Sequence, residues 1–197
     1  MQKTIVIASN NAGKLREINR LLAPLGYDVQ PQSNFDVPET EEPHLTFIEN
    51  CLTKARHAAK LTGLSALADD SGICVTALGG EPGVHSARFA GEPKSDQQNN
   101  AKLIAALAGN PQREAYYYCV IIYLRHAEDP QPIIAEGRWH GEIIDLPRGN
   151  EGFGYDPHFF IPALNKTAAE LNATEKDALS HRGQALAHLI TQLGHSH

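Results

Sequence analysis

The chain has 197 residues, 42% of them hydrophobic and 20% charged, with a formal net charge of −6 at pH 7. That length suits one domain, or two lobes sharing a core, and no apolar run approaches the roughly 18 residues of a membrane span. An acidic balance with no Lys/Arg run excludes a general nucleic-acid binder, which carries a basic face; a polyanion bound here is small and brings a metal ion.

In chain order, Met1-Gln2-Lys3 leads into the strand-like residues 4–8 with no cleavage site behind it, so the chain reads without a secretory leader. The pattern then gives a helix over 14–25, with Leu15, Ile18, Leu21, Leu22 and Leu25 on one face, a strand over 27–31 and a helix over 46–62. Strands follow at 66–69 and 73–78, separated by a Ser-Gly turn, and a helix at 95–108. Residues 115–126 and 132–144, joined by Ala127-Glu128-Asp129-Pro130-Gln131, read as a long antiparallel hairpin. The rest is a strand at 158–161, a short helix at 167–171 opened by the Thr167/Glu170 capping box, and a helix at 180–193 with Ser180 as N-cap. Helices and strands mix, so the fold class is α/β with a mixed central sheet, and no linker divides residues 1–197. Cys51, Cys74 and Cys119 are dispersed in apolar surroundings and read as buried free thiols in the reducing cytoplasm. The ten histidines show no ligand spacing, and Gly194-His195-Ser196-His197 reads as a frayed tail.

Four stretches carry chemistry. Ser9-Asn10-Asn11-Ala12-Gly13-Lys14 stands between the first strand and the first helix. It is not a Walker A loop, because Ala8 and Leu15 occupy the positions of the first glycine and the metal-binding hydroxyl. A helix N-terminus with polar side chains and a lysine still attracts phosphate. Asp69-Asp70-Ser71-Gly72 closes an apolar strand with adjacent carboxylates, which alternation sends to opposite faces. Such hard oxygens suit Mg²⁺, and the acidic loop Glu39-Thr40-Glu41-Glu42 is a source of a second one. Gly152-Phe153-Gly154-Tyr155-Asp156-Pro157 interleaves glycines, which admit a close ligand, with aromatic rings that stack on bases. Ser180-His181-Arg182-Gly183, with Lys176 one turn earlier, offers donors to the carbonyl oxygens of a base.

With these blocks in this order, joined by TFIENCLTKA (46–55) and PGVHSARFAG (82–91), the sequence resembles the inosine/xanthosine triphosphate pyrophosphatase family nearly end to end. The resemblance implies an elongated fold with a cleft between two lobes, a homodimer, and Mg²⁺-dependent hydrolysis of ITP, dITP and XTP to monophosphate and pyrophosphate. Ser9, Asn10, Asn11, Ala12, Gly13 and Lys14 would hold the phosphates. Asp70 would be metal ligand and proton acceptor, with Glu41 favoured over Glu39 and Glu42 as the second ligand. Ser71, Phe153, Gly154, Tyr155, Asp156, Lys176, His181 and Arg182 would contact the nucleotide, Arg182 and His181 reading the six-keto oxygen. Asn10, His85, Phe89 and Cys51 depart from the family's usual residues, which bears on fine specificity and pH behaviour. The other readings are a pyrophosphatase for other modified nucleotides and a non-catalytic nucleotide-binding module.

Overall fold

The β-branched run at the start of the chain forms β1 (Lys3–Ile7). The computed structural model describes residues 3–194, so the expectations for Met1-Gln2 and for a tail at 195–197 lie outside the described residues. Helix α1 (Ala12–Leu22) follows because Ile18 and Leu22 recur on one face and are fully buried. Pro24 and Gly26, the latter at a φ of 84°, then turn the chain into β2 (Tyr27–Pro31). β2 runs parallel to β1, with Ile5 opposite Val29. Helix α2 (Phe47–Thr62) opens on Thr46, whose hydroxyl accepts from the Glu49 N–H at 3.2 Å.

β3 (Ser65–Val75) pairs parallel with β1 on its other side, Ile7 opposite Leu67, and the Ala8 N–H extends the pairing to the Leu67 carbonyl at 2.8 Å. It is a single strand where two were expected. Its residues are buried on both faces, and continuous pairing carries it through Asp69-Asp70-Ser71-Gly72 without a turn. Helix α3 (Asp96–Ala106), capped by Ser95, leads to β4 (Glu114–Leu124) and β5 (Ile133–Ile143). Those two strands are sheet neighbours, and the connection between them is too short for a parallel crossover, so they form the antiparallel hairpin read from the sequence. Asp129 ties that connection, accepting from the Arg125 N–H at 3.0 Å, Arg125 Nε at 2.8 Å and the Gln131 N–H at 3.0 Å.

The described residues end with β6 (Phe159–Ile161), β7 (Lys166–Thr167), α4 (Ala173–Leu179) and α5 (His181–Gly194). The helix expected at 167–171 is one 3₁₀ turn, Ala168–Glu170, and its capping box is present. α4 was missed. Its signal was a second capping box, Asn172 with Glu175, too short to show an apolar period.

Among the described residues seven strands hydrogen-bond in the order β2-β1-β3-β4-β5-β6-β7, parallel around β1 and antiparallel from β5 to β7, which gives the mixed sheet and α/β class read from the sequence. The chain forms two compact units. The first comprises the residues up to Asp70, Cys119–Gly137 and the chain from Arg182; the second comprises Ser71–Tyr118 and Arg138–His181. Each has its own core. Ile5, Ile7, Ile18, Ile121, Leu186 and Leu189 pack in the first. Ile73, Leu103, Tyr117, Trp139 and Phe159 pack in the second. The three cysteines are buried and free, and burial pushes the Cys119 thiol up to about 12.

Candidate active site

In the first unit, parallel pairing sets the carboxyl end of β1 beside Leu67 of β3, just ahead of Asp69 and Asp70, and the carboxyl end of a parallel strand is where open α/β sheets bind ligands. Ser9 therefore leaves β1 near the level at which β3 reaches Asp69 and Asp70. Asn11 is the N-cap of α1. Its side chain accepts from the Gly13 N–H at 2.9 Å and the Lys14 N–H at 3.1 Å, and its own N–H donates to Ser9 Oγ at 3.1 Å. Two N–H groups that a bare helix end would offer to phosphate are thus taken by the protein's own cap. The positive charge comes from Lys14, whose Nζ lies 3.1 Å from Asp69 Oδ2. Ala12 and Gly13 open the helix, and exposed Asn10 donates to Glu39 Oε1 at 3.1 Å.

The two adjacent aspartates have different partners, as strand alternation requires. Asp69, 1% exposed, faces Lys14 and Arg182. Burial works to raise its pKa, but Lys14, Arg182 and Lys54 outweigh that and hold the carboxyl well below the usual range. Asp70, 5% exposed, lies 3.2 Å from Lys54 Nζ, and Lys54 reaches Glu42 Oε1 at 2.7 Å. Burial is the largest influence on Asp70 and raises its pKa; Glu42 and Asp69 add to this, and the pull of Lys54 and Lys14 does not cancel it. Asp70 Oδ2 is buried and has no hydrogen-bond partner among the described residues. An acidic oxygen in that condition, with a second carboxylate on the same lysine, fits a divalent cation that needs one or two protein carboxylates. The second carboxylate is Glu42. Glu41, the residue favoured from sequence, is exposed, and it is Glu42 that shares Lys54 with Asp70.

Arg182, offered by the sequence as a reader of base oxygens, lies in this cluster. It is 2% exposed; Nε and Nη2 donate to Asp69 Oδ2 at 3.2 and 3.1 Å, and Nη1 donates to Glu17 Oε2. Its guanidinium pairs with two carboxylates of its own unit. No local signal marks this, because its partners lie 113 and 165 residues away in the chain. Lys54 and Glu17 were missed for the same reason.

In the second unit, Gly152-Phe153-Gly154-Tyr155-Asp156 folds around the Asp156 carboxylate. Oδ2 accepts from the Phe153 N–H at 2.9 Å and from Lys176 Nζ at 2.6 Å, and Oδ1 accepts from the Tyr117 hydroxyl at 3.1 Å. His181 stacks on Tyr117 with centroids 4.6 Å apart and planes 8° from parallel, and Lys176 lies 4.9 Å from the centroid of the Phe153 ring. The glycines serve the loop itself. A Cβ on Gly152 would lie 2.1 Å from Asp156 Oδ2, and Gly154 has a φ of 64°. Tyr155 is also turned inward, its hydroxyl donating to the Ser86 carbonyl at 2.7 Å. Phe153, Gly154, Asp156, Lys176 and His181 therefore lie together in this unit, with Tyr155 turned inward beneath them. Half-buried Ser71 follows Asp70 on β3.

A parallel strand pair that leads into a helix cap and brings Lys14 to two buried carboxylates gives an α/β protein with a cluster of paired charges where β1 ends. The family model described as Ham1 family matches residues 5–192, and the chain belongs to that family. It is 66% identical over 194 residues to a dITP/XTP pyrophosphatase of Ralstonia nicotianae, covering 97% of this chain and 96% of the relative. It is likewise 66% identical over 189 residues to one of Nitrosomonas europaea, covering 96% and 93%. Among solved structures, a HAM1 protein from Coxiella burnetii superposes with a TM-score of 0.92 at 49% identity, covering 98% of this chain and all of that one. A nucleoside-triphosphatase / dITP/XTP pyrophosphatase from Mycobacterium abscessus gives 0.74 at 43%, covering 96% and 99%.

Proposed function

We propose that the protein is a Mg²⁺-dependent pyrophosphatase of dITP, ITP and XTP that clears these nucleotides from the cytoplasmic pool, working as a homodimer. The observation that carries this reading is the pair of buried carboxyls, Asp69 held ionised by Lys14 and Arg182, and Asp70 carrying a raised pKa beside Lys54 and Glu42. It agrees with the names of the relatives quoted above.

Mg²⁺ held by Asp70 and Glu42 would neutralise charge that builds on the phosphate oxygens. Lys14 binds the triphosphate and stabilises the same charge. Asp70 orients the attacking water and takes its proton; the water oxygen bonds to the α-phosphorus, the linkage between the α- and β-phosphates breaks, and pyrophosphate leaves with the bonding electrons. In the second unit, Phe153 stacks on the base, and His181 and Lys176 are the donors that suit a six-keto oxygen. Adenine places an amino group there, so donor would meet donor.

Pyrophosphate release from dITP, XTP, dGTP and dATP in parallel, with Mg²⁺ and with chelator, tests the proposal. Pyrophosphate from dITP and XTP alone, abolished by chelator, is expected. Orthophosphate as product, or equal use of dATP, would identify a general phosphohydrolase. Light scattering tests the dimer.

A further inference from the structure

Helix α3 grips the Gly154 peptide from both sides. Asp96, its first residue, accepts from the Gly154 N–H through Oδ2 at 2.7 Å. Asn100, one turn later, donates through Nδ2 to the Gly154 carbonyl at 2.8 Å and to the Asp96 carbonyl at 2.9 Å. Both partners of that terminal atom are carbonyl oxygens, so it must be the amide nitrogen. The orientation leaves Asn100 Oδ1 buried without a hydrogen-bond partner among the described residues. A buried acceptor left unmade is costly, and what is obtained in exchange is the bond to Gly154.

The preceding peptide is also closed. The Phe153 N–H goes to Asp156 Oδ2 at 2.9 Å, and its carbonyl accepts from the Asp156 N–H at 3.3 Å. Every backbone donor and acceptor of Phe153 and Gly154 is thus engaged within the unit. The Phe153 ring, with Lys176 Nζ 4.9 Å from its centroid, is the part of this segment suited to stacking on a base, and the direction of that ring depends on the clamped backbone.

We propose that Asp96 and Asn100 are positioning residues for purine recognition, fixing the Gly154 peptide and through it the stacking face of Phe153. This rests on the reading of Gly152–Asp156 as base-binding. The two side chains act without touching the base, so their removal weakens nucleotide binding and leaves the phosphate chemistry in place.

The test is steady-state kinetics of Asn100→Ala, Asn100→Asp, Asp96→Ala and Asp96→Asn on dITP, with inorganic tripolyphosphate as a base-free competitive inhibitor. Asn100→Ala and Asn100→Asp should raise KM for dITP about tenfold with kcat within about twofold. Asp96→Ala should raise it less, because that bond is exposed to water. Asp96→Asn keeps an acceptor oxygen and should behave as wild type. The inhibition constant of tripolyphosphate should stay constant throughout. Unchanged KM in Asn100→Ala, or a tripolyphosphate constant rising in step with KM, overturns the proposal. Exposed Asp96 keeps the test decisive if Asn100 variants fold poorly: its Ala variant must raise KM and its Asn variant must restore it. A wild type inactive on dITP overturns the underlying base-binding reading instead, and that arm is read first.

Discussion

Arg182→Met separates what the sequence suggested for this residue from what the structure assigns to it. The arginine is 2% exposed and joins Asp69, itself 1% exposed, to Glu17 at 8%. Truncating one partner of a buried ion pair costs about 3–5 kcal/mol, because the charge left behind is neither solvated nor paired. Asp69 would keep Lys14 at 3.1 Å, which places the expected loss near the lower end, about 3 kcal/mol. For a chain of this size each kcal/mol lowers the melting temperature by about 2–4 °C, so the variant should melt roughly 10 °C below wild type. Calorimetry at neutral pH measures it. Adding Glu17→Gln should recover part of the loss, since one stranded charge is removed, and a double-mutant cycle gives the coupling. Discrimination between dITP and dATP should survive in the fraction that stays folded. If Arg182→Met melts within about 2 °C of wild type while dITP turnover collapses, the counter-ion assignment is wrong and the arginine reads the substrate.

Asp69 has a folded-state pKa depressed below its unfolded value of about 4, so its stabilising contribution is complete above that pH and is lost as pH falls through the folded value. Asp69→Asn should therefore lower the melting temperature at pH 7, and the gap to wild type should narrow below about pH 4; parallel melting curves across that range would count against it. Asp70 shows the opposite sign: its raised pKa means that its ionised form is disfavoured in the fold. Asp70→Asn should keep or slightly raise the melting temperature while turnover falls by about 10²–10⁴, and retained turnover would remove this carboxyl from the chemistry. Gly152→Ala puts a methyl 2.1 Å from Asp156 Oδ2 at a φ of 78°. It should cost at least about 1–2 kcal/mol in stability and raise KM for dITP, and a wild-type melting curve would show that the loop yields without strain.

Much of the site was legible because local patterns carried it. A strand-to-helix junction with a polar cap and Lys14 is written in consecutive residues, and so are the adjacent carboxylates of β3 and the aromatic loop ending in Asp156. Alternation alone predicted that Asp69 and Asp70 would part company, and the structure gives them separate lysines. The error at Ser71-Gly72 is instructive for the same reason. Those residues read as a turn by local preference, and pairing inside a sheet buried on both faces overrode it.

The sequence by itself determined the α/β class, the long hairpin, the helix phases and the blocks that carry chemistry, because all of these follow from short-range periodicity and from the conformations open to single residues. Only the tertiary structure decided which charges meet. It set Glu42 beside the lysine of Asp70, committed Arg182 to Glu17 and Asp69, and gave Gly154 to Asp96 and Asn100. These partners are distant in the chain. Charge and hydrogen-bond capacity are written in each residue, but their pairing depends on distance in space, which only the folded sheet and helices fix.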